Sequence, residues 1–157
     1  MAIGERGDPY GRTRFHVEIG GLIVGGFSEV TGLGVTVASR TTDRTSSGGI
    51  RGIIDRLVAA SDHHDSSRAS TPRLRLTRGV TDDTELWGWM RATLDGEENS
   101  RTGRVILHDD AGEEAVVWEL SGLEPVAYHG PDLLAAAPGV ATETYELRYR
   151  TIERTVV

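Results

Sequence analysis

The densest set of groups able to do chemistry is Asp62-His63-His64-Asp65, with Asp55 a few residues upstream. Imidazole and carboxylate ligate divalent metals, but a metal site also needs fixed geometry and partners that orient its ligands. Neighbouring histidines in a strand or helix point apart, and the surrounding "SDHHDSSRAST" is polar and turn-rich. It reads as a solvated loop. His16, His108 and His129 fall singly on predicted strands or strand ends, each read as a surface or barrel histidine rather than a general base. Asp82-Asp83 and Asp109-Asp110 are paired carboxylates of the kind acid–base chemistry uses. The first pair opens a helix and the second a hairpin turn, and those local roles account for both. Ser28, Ser61 and Ser121 have no elbow motif around them, and "GLGVTV" lacks the spacing and βαβ context of a dinucleotide loop. The sequence therefore predicts no enzyme: no catalytic, cofactor-binding or metal-binding residues, and no cofactor.

Composition narrows the remaining classes. A chain of 157 residues has the size of one ordinary domain and should bury roughly 70% of its unfolded surface. Its 38% hydrophobic and 26% charged residues suit a globular protein. The formal net charge of −7 opposes specific nucleic-acid binding, which draws its affinity from neutralising phosphates. All 17 basic residues are arginine. Arginine pairs carboxylates in a bidentate fork and suits interfaces, although a GC-rich or salt-adapted host would give the same bias. There is no cysteine, hence no disulfide framework or thiolate site. The start "MAIGERGDPY" has no apolar core of a signal peptide, and no apolar run approaches 18 residues. Neither a leader nor membrane insertion is expected.

The elements that must position these residues are mostly strands. "RFHVEIG" alternates Phe15, Val17 and Ile19 against His16 and Glu18, and Gly20-Gly21 turns it. "LIVGGF" reads as a second strand and "LGVTVAS" as a third. The polar "RTTDRTSSGG" reads as a loop, and "IRGIIDRLVAA" places Ile50, Ile53, Ile54, Leu57 and Val58 at helical spacing. Gly52 weakens that helix, and an extended arm fits equally well. Pro72 opens the strand "RLRLTRG". Asp82, with Glu85 three positions on, predicts a capped helix running to about Leu94, where Asp95-Gly96 stops it. Leu86, Trp87, Trp89, Met90 and Leu94 span an arc of about 160°, wider than one core needs. "RVILHD" and "AVVWELSG" flank a hairpin turn at Asp110 to Glu113. "LEPVAYHG" reads as a peripheral strand because of Pro125, "PDLLAAAPG" as a loop or short helical turn, and "ATETYELRYRTIE" as one long strand. About seven or eight strands and one helix predict a mainly β fold: a small antiparallel barrel or sandwich with a flanking helix.

Several of these stretches together resemble the tail-tube (inner tube) protein family of contractile phage tails and related injection systems. They are "DPYGRTRFHVEIGG", "GGFSEVTGL", "LRLTRGVTDDTELWGW", "GRVILHDDAGEEAVVWEL", "EPVAYHGPDL" and "VATETYELRYRTIER", in the family's order. They cover roughly residues 8–40 and 72–155 of a single domain, 1–157. The type VI secretion tube protein is similar to the same fold. The resemblance implies a β-barrel that assembles into hexameric rings, and rings that stack into a hollow conduit for cargo. It implies sheath and baseplate proteins as partners, with cytoplasmic assembly into a tail or tail-like particle.

Candidate subunit-interface residues are Trp87 and Trp89 on the helix, Arg75 and Arg78 on its preceding strand, Ile53, Ile54 and Leu57 in the arm, and Arg148 and Arg150 on the final strand. Residues 41–71 depart from the family pattern. An extended arm ending in Leu-Pro-Gly is usual there, whereas this chain has "IIDRLVAASDHHDSS". A family lysine is also replaced by Thr77. A baseplate-proximal ring of the same machine is therefore an alternative to the repeating tube, and a monomeric β-barrel binding module is a third reading.

Overall fold

A computed structural model of the protein describes residues 10–23, 26–36 and 72–157. Their elements are β1 (Phe15–Ile19), β2 (Leu22–Ile23), β3 (Phe27–Thr31), β4 (Arg73–Gly79), α1 (Glu85–Leu94), β5 (Arg101–His108), β6 (Glu114–His129), β7 (Thr142–Arg148) and β8 (Thr151–Val156). Every pairing is antiparallel. The ladder runs β2-β1-β5-β6-β7-β4-β3, with β8 joined to β6 off this path. The expected mainly β, antiparallel architecture with one helix is what the chain forms. Among the described residues the path ends at β2 and β3 without closing.

Strand β6 organises the whole. The sequence suggested two strands here, but Glu114–His129 is continuous and is bent at Gly122, whose φ is +64°. Before the bend β6 lies between β5 and β8, with Val117 opposite both Ile106 and Thr155. Beyond it β6 pairs with β7, and a bulge follows Pro125. Among the described residues only β7 pairs with β6 from Glu124 onward, so the proline's missing N–H costs no ladder bond on its free side. A side chain at position 122 would meet Arg150 Cγ at 2.7 Å, so a glycine lets the β7–β8 corner sit against the bend.

The final segment corrects the single long strand read from sequence. It breaks at Tyr149-Arg150, and the Arg150 N–H donates to the Ser121 carbonyl at 2.8 Å. Strand β7 then stays with β4 while β8 crosses to the first half of β6. Near the start, β2 has only two residues and β3 lies at Phe27–Thr31, between the second and third strands expected. Residues 33–36 of the expected "LGVTVAS" strand are not in a strand.

Alternation along the strands builds one core. Val17 and Ile19 from β1, Leu74 and Leu76 from β4, and Leu120 and Leu123 from β6 meet Tyr145 and Leu147 from β7. Leu86, Trp89 and Met90 of α1 close it from one side. Burial of such side chains contributes roughly 1.5–3 kcal/mol each before the entropy cost of ordering them. The helix cap lies two residues beyond the expected Asp82. Thr84 is the cap position, and the Asp83 carboxylate, rather than Asp82, accepts the Glu85 N–H at 3.0 Å. At the other end Gly96 takes φ +89°, the left-handed stop predicted from Asp95-Gly96.

Candidate assembly surfaces

Two of the expected contact residues are interior. Trp89 is only 2% exposed. Its indole N–H donates to the Asn99 carbonyl at 2.7 Å, and the Arg101 guanidinium lies 4.8 Å from its ring centre. Helical spacing had put it at one rim of the apolar arc. The β5 approach through Asn99–Arg101 covers that rim, so Trp89 offers no surface to another molecule. Arg78 is likewise buried.

Arg78 anchors a buried polar cluster where β4, β7 and α1 meet. Its Nε donates to Glu143 at 2.8 Å and its Nη1 to Asp83 at 3.0 Å. The other Glu143 oxygen accepts from the Tyr128 hydroxyl at 2.9 Å. Burial works to lower the Arg78 pKa, but the bonds to Glu143 and Asp83 outweigh it and raise it above the ordinary value. The Glu85 N–H, then Arg78, hold the Asp83 carboxyl below its usual range. Burial pushes the Tyr145 phenol up to about 12, with the Glu143 charge adding to it. Sequence reading counted Arg78 as a contact residue by its charge; alternation with Leu74 and Leu76 already put it on the inner face, and only its partner Glu143, 65 positions on, was out of reach locally.

The remaining expected residues are accessible. Trp87 is 42% exposed and meets the Tyr128 ring edge-on at 4.9 Å. Arg75 and Arg73 both reach Glu146 at 3.3 Å, joined there by His129 at 3.3 Å. Arg148 pairs with Glu124. One sheet face thus carries half-exposed arginines around two shielded carboxylates. Arg150 is exposed and lies across Gly122. Ile53, Ile54 and Leu57 lie outside the described residues, as do Asp62 to Asp65.

Three features were not legible locally. His16 and His108 are brought together from β1 and β5, with Nδ1 and Nε2 2.6 Å apart and rings stacked at 4.7 Å. His108 Nδ1 faces the Gly112 carbonyl at 3.1 Å, and which ring nitrogen of the pair donates follows from the tautomers they adopt. The buried Tyr149 accepts from the Gly34 N–H, and its single O–H faces the carbonyls of Gly32 and Gly34 at 2.8 and 2.7 Å. Gly32, with φ +90°, lies so close to β4 that a Cβ would come within 1.8 Å of the Arg73 carbonyl oxygen.

The third is a recess of about 750 Å³ between β3 and the β1–β5 side, where the ladder fails to close. Phe15, Phe27, Val30, Leu33, Leu107 and Trp118 line it, all half-buried. Elsewhere, the loop from β6 to β7 exposes Leu133, Leu134 and Val140. No described helix is long and apolar enough to cross a membrane.

Comparison with known proteins follows the same line as this geometry. Residues 11–153 match the family described as T4-like virus tail tube protein gp19. No curated protein matches the chain. Among solved structures, a chain of the PVC extracellular contractile injection system, in its extended sheath–tube complex, is similar at 20% identity and a TM-score of 0.69. The likeness covers 95% of this chain and 93% of that one. The tube-terminating cap of the anti-feeding prophage aligns over 100% of both chains, at 20% identity and TM-score 0.73. Hcp1 from Flavobacterium johnsoniae shares the fold at 15% identity and TM-score 0.55, over 91% of this chain and 95% of that one. A family match spanning strands, helix and the intervening segment makes the conclusion plain: the chain belongs to the T4-like virus tail tube protein family.

Proposed function

We propose that this chain is the repeating structural subunit of the inner tube of a contractile tail or injection system. Copies form hexameric rings, rings stack, and the resulting conduit carries cargo while sheath and baseplate proteins surround it. On this reading assembly takes place in the cytoplasm, the product is part of a tail-like particle, and the protein performs no catalysis.

The observation that carries the reading is the ladder's two ends, β2 and β3, unclosed among the described residues, in a member of the tail tube family. An open strand edge is a liability for a lone chain and an asset for one that assembles, because a neighbour can satisfy its unpaired backbone groups. The exposed Trp87 and the arginines around Glu146 and Glu124 supply further contact chemistry.

A second reading, a baseplate-proximal ring, is favoured by the departure of residues 41–71 from the family pattern. Negative-stain electron microscopy of the purified protein at low and molar salt, with light scattering on the same samples, tests both. Rings that stack into tubes of unlimited length support the repeating subunit. Single rings that never stack support the baseplate position, and a monomer under every condition removes both.

A further inference from the structure

We propose that the β6–β7 loop of one copy seats its apolar side chains in the open recess of a second copy, and that this head-to-tail contact builds the ring. The inference rests on the tube-subunit reading and names the surfaces that carry it.

The loop is unusual for a surface segment. Leu133 is 79% exposed, Leu134 70% and Val140 82%. Ala135, Ala136 and Ala137 lie between them and are exposed too. Single exposed apolar residues need no explanation, but a contiguous run of them marks a contact surface. The loop carries one charge, Asp132, at its edge. It has a shape of its own, since the Ala137 N–H bonds the Leu134 carbonyl at 3.2 Å and the Val80 N–H bonds the Ala141 carbonyl at 2.9 Å. It is a tethered knob, held at both ends by strands.

The recess is the matching feature. Its walls are the half-buried aromatic and aliphatic side chains of β1, β3, β5 and β6, including Phe15, Phe27 and Trp118. A volume of about 750 Å³ is within the ordinary range of a binding cleft and accepts several aliphatic side chains. Tyr10, Arg12 and Glu29 stand on its lining and supply polar partners, an apolar centre with polar margins as specific interfaces have.

The two features belong to different parts of the ladder. The loop joins the end of β6 to β7, and the recess is lined by β3, β1, β5 and Trp118 of the first half of β6. High exposure of Leu133, Leu134 and Val140 shows that a copy does not fill its own recess with them. A knob and a socket at different places on one molecule make a heterologous contact, and such contacts close into rings or run on as filaments.

The test uses two variants of the full chain and their mixture. Leu133→Asp/Leu134→Asp removes the knob from positions that contribute nothing to the core. Thr13→Trp/Ser28→Trp fills the socket from exposed lining positions. Circular dichroism and thermal melting check that both variants fold. Each variant alone should need at least about tenfold more protein to form rings, an effect of the size expected from losing one apolar anchor. Mixed in equal amounts, the two should give a dimer by sedimentation and no ring, since only one productive contact remains.

Rings from wild type and from both variants would overturn the inference while leaving the tube reading intact. Such a result would assign the loop to another partner such as sheath. Loss of rings in both variants with no dimer on mixing would also overturn it, since knob and socket would then act separately. A wild-type chain that stays monomeric throughout would overturn the inference and the tube reading together.

Discussion

At the scale of single residues, Arg78 is the position with the largest consequence. Arg78→Ala leaves Glu143 buried without its cation, and breaking such a pair costs about 3–5 kcal/mol. Chemical denaturation should show that loss. Arg78→Met combined with Glu143→Leu should recover most of it, because replacing both charges also removes the desolvation of the pair. A double variant as unstable as the single one would mean that Asp83 and the helix start depend on the guanidinium itself.

Tyr145 provides the pH test. Its phenol is held neutral to about 12 in the folded protein, against roughly 10 in an unfolded chain. Between these values the unfolded state has lost a proton that the folded state retains. Stability is therefore fully present below about pH 10 and falls as pH rises toward 12, by on the order of 2 kcal/mol. Tyr145→Phe should flatten that alkaline limb in a denaturation series. On the acid side, Asp83 works in the opposite sense. Its lowered pKa adds stability at neutral pH that is lost as pH falls through the folded value.

At the scale of elements, two glycines decide how strands turn. Gly32→Ala introduces a Cβ against the Arg73 carbonyl in a left-handed backbone. It should destabilise the chain by more than the roughly 1 kcal/mol typical of point substitutions, visible as a fall in melting temperature. Gly112 is a control, since it shares a positive φ but has open space around it. Gly112→Ala should cost only the backbone term, about 1 kcal/mol.

The contrast between predicted and observed elements follows from range. Period-two alternation in β1 and β4 was readable because each buries one face on a single core. The helix and its glycine stop were readable because capping is local, although the cap position is Thr84 rather than Asp82 and Asp83 is held by Arg78. The continuity of β6 and the break between β7 and β8 were not readable. A bend and a corner that face each other, Gly122 against Arg150, depend on residues distant in sequence.

At the scale of the whole molecule, the formal net charge of −7 bears on the proposed stacking of rings. Like-charged rings repel over a Debye length of about 10 Å at 0.1 M salt and about 3 Å at 1 M. Ring stacking should therefore strengthen as salt rises, as followed by light scattering. Stacking that weakens with salt would place attractive ion pairs, such as those available to Arg75 and Arg148, across the contact instead.

What the sequence determined by itself is the class of object. Alternating strands, one helix and family motifs in order are local or linear signals, and they led to a mainly β tail tube protein. What only the tertiary structure decided is which of the candidate contact residues face outward. Helical spacing made Trp87 and Trp89 equivalent rims of one arc, and charge made Arg75 and Arg78 equally surface-like, although alternation places Arg78 on the inner face with Leu74 and Leu76. Packing separated them, because the chain around Asn99–Arg101 covers Trp89 and Glu143 draws Arg78 inward. The recess and the His16–His108 pair arise the same way, from segments that meet only when the ladder forms. Burial is a property of the whole fold, and no window of sequence contains it.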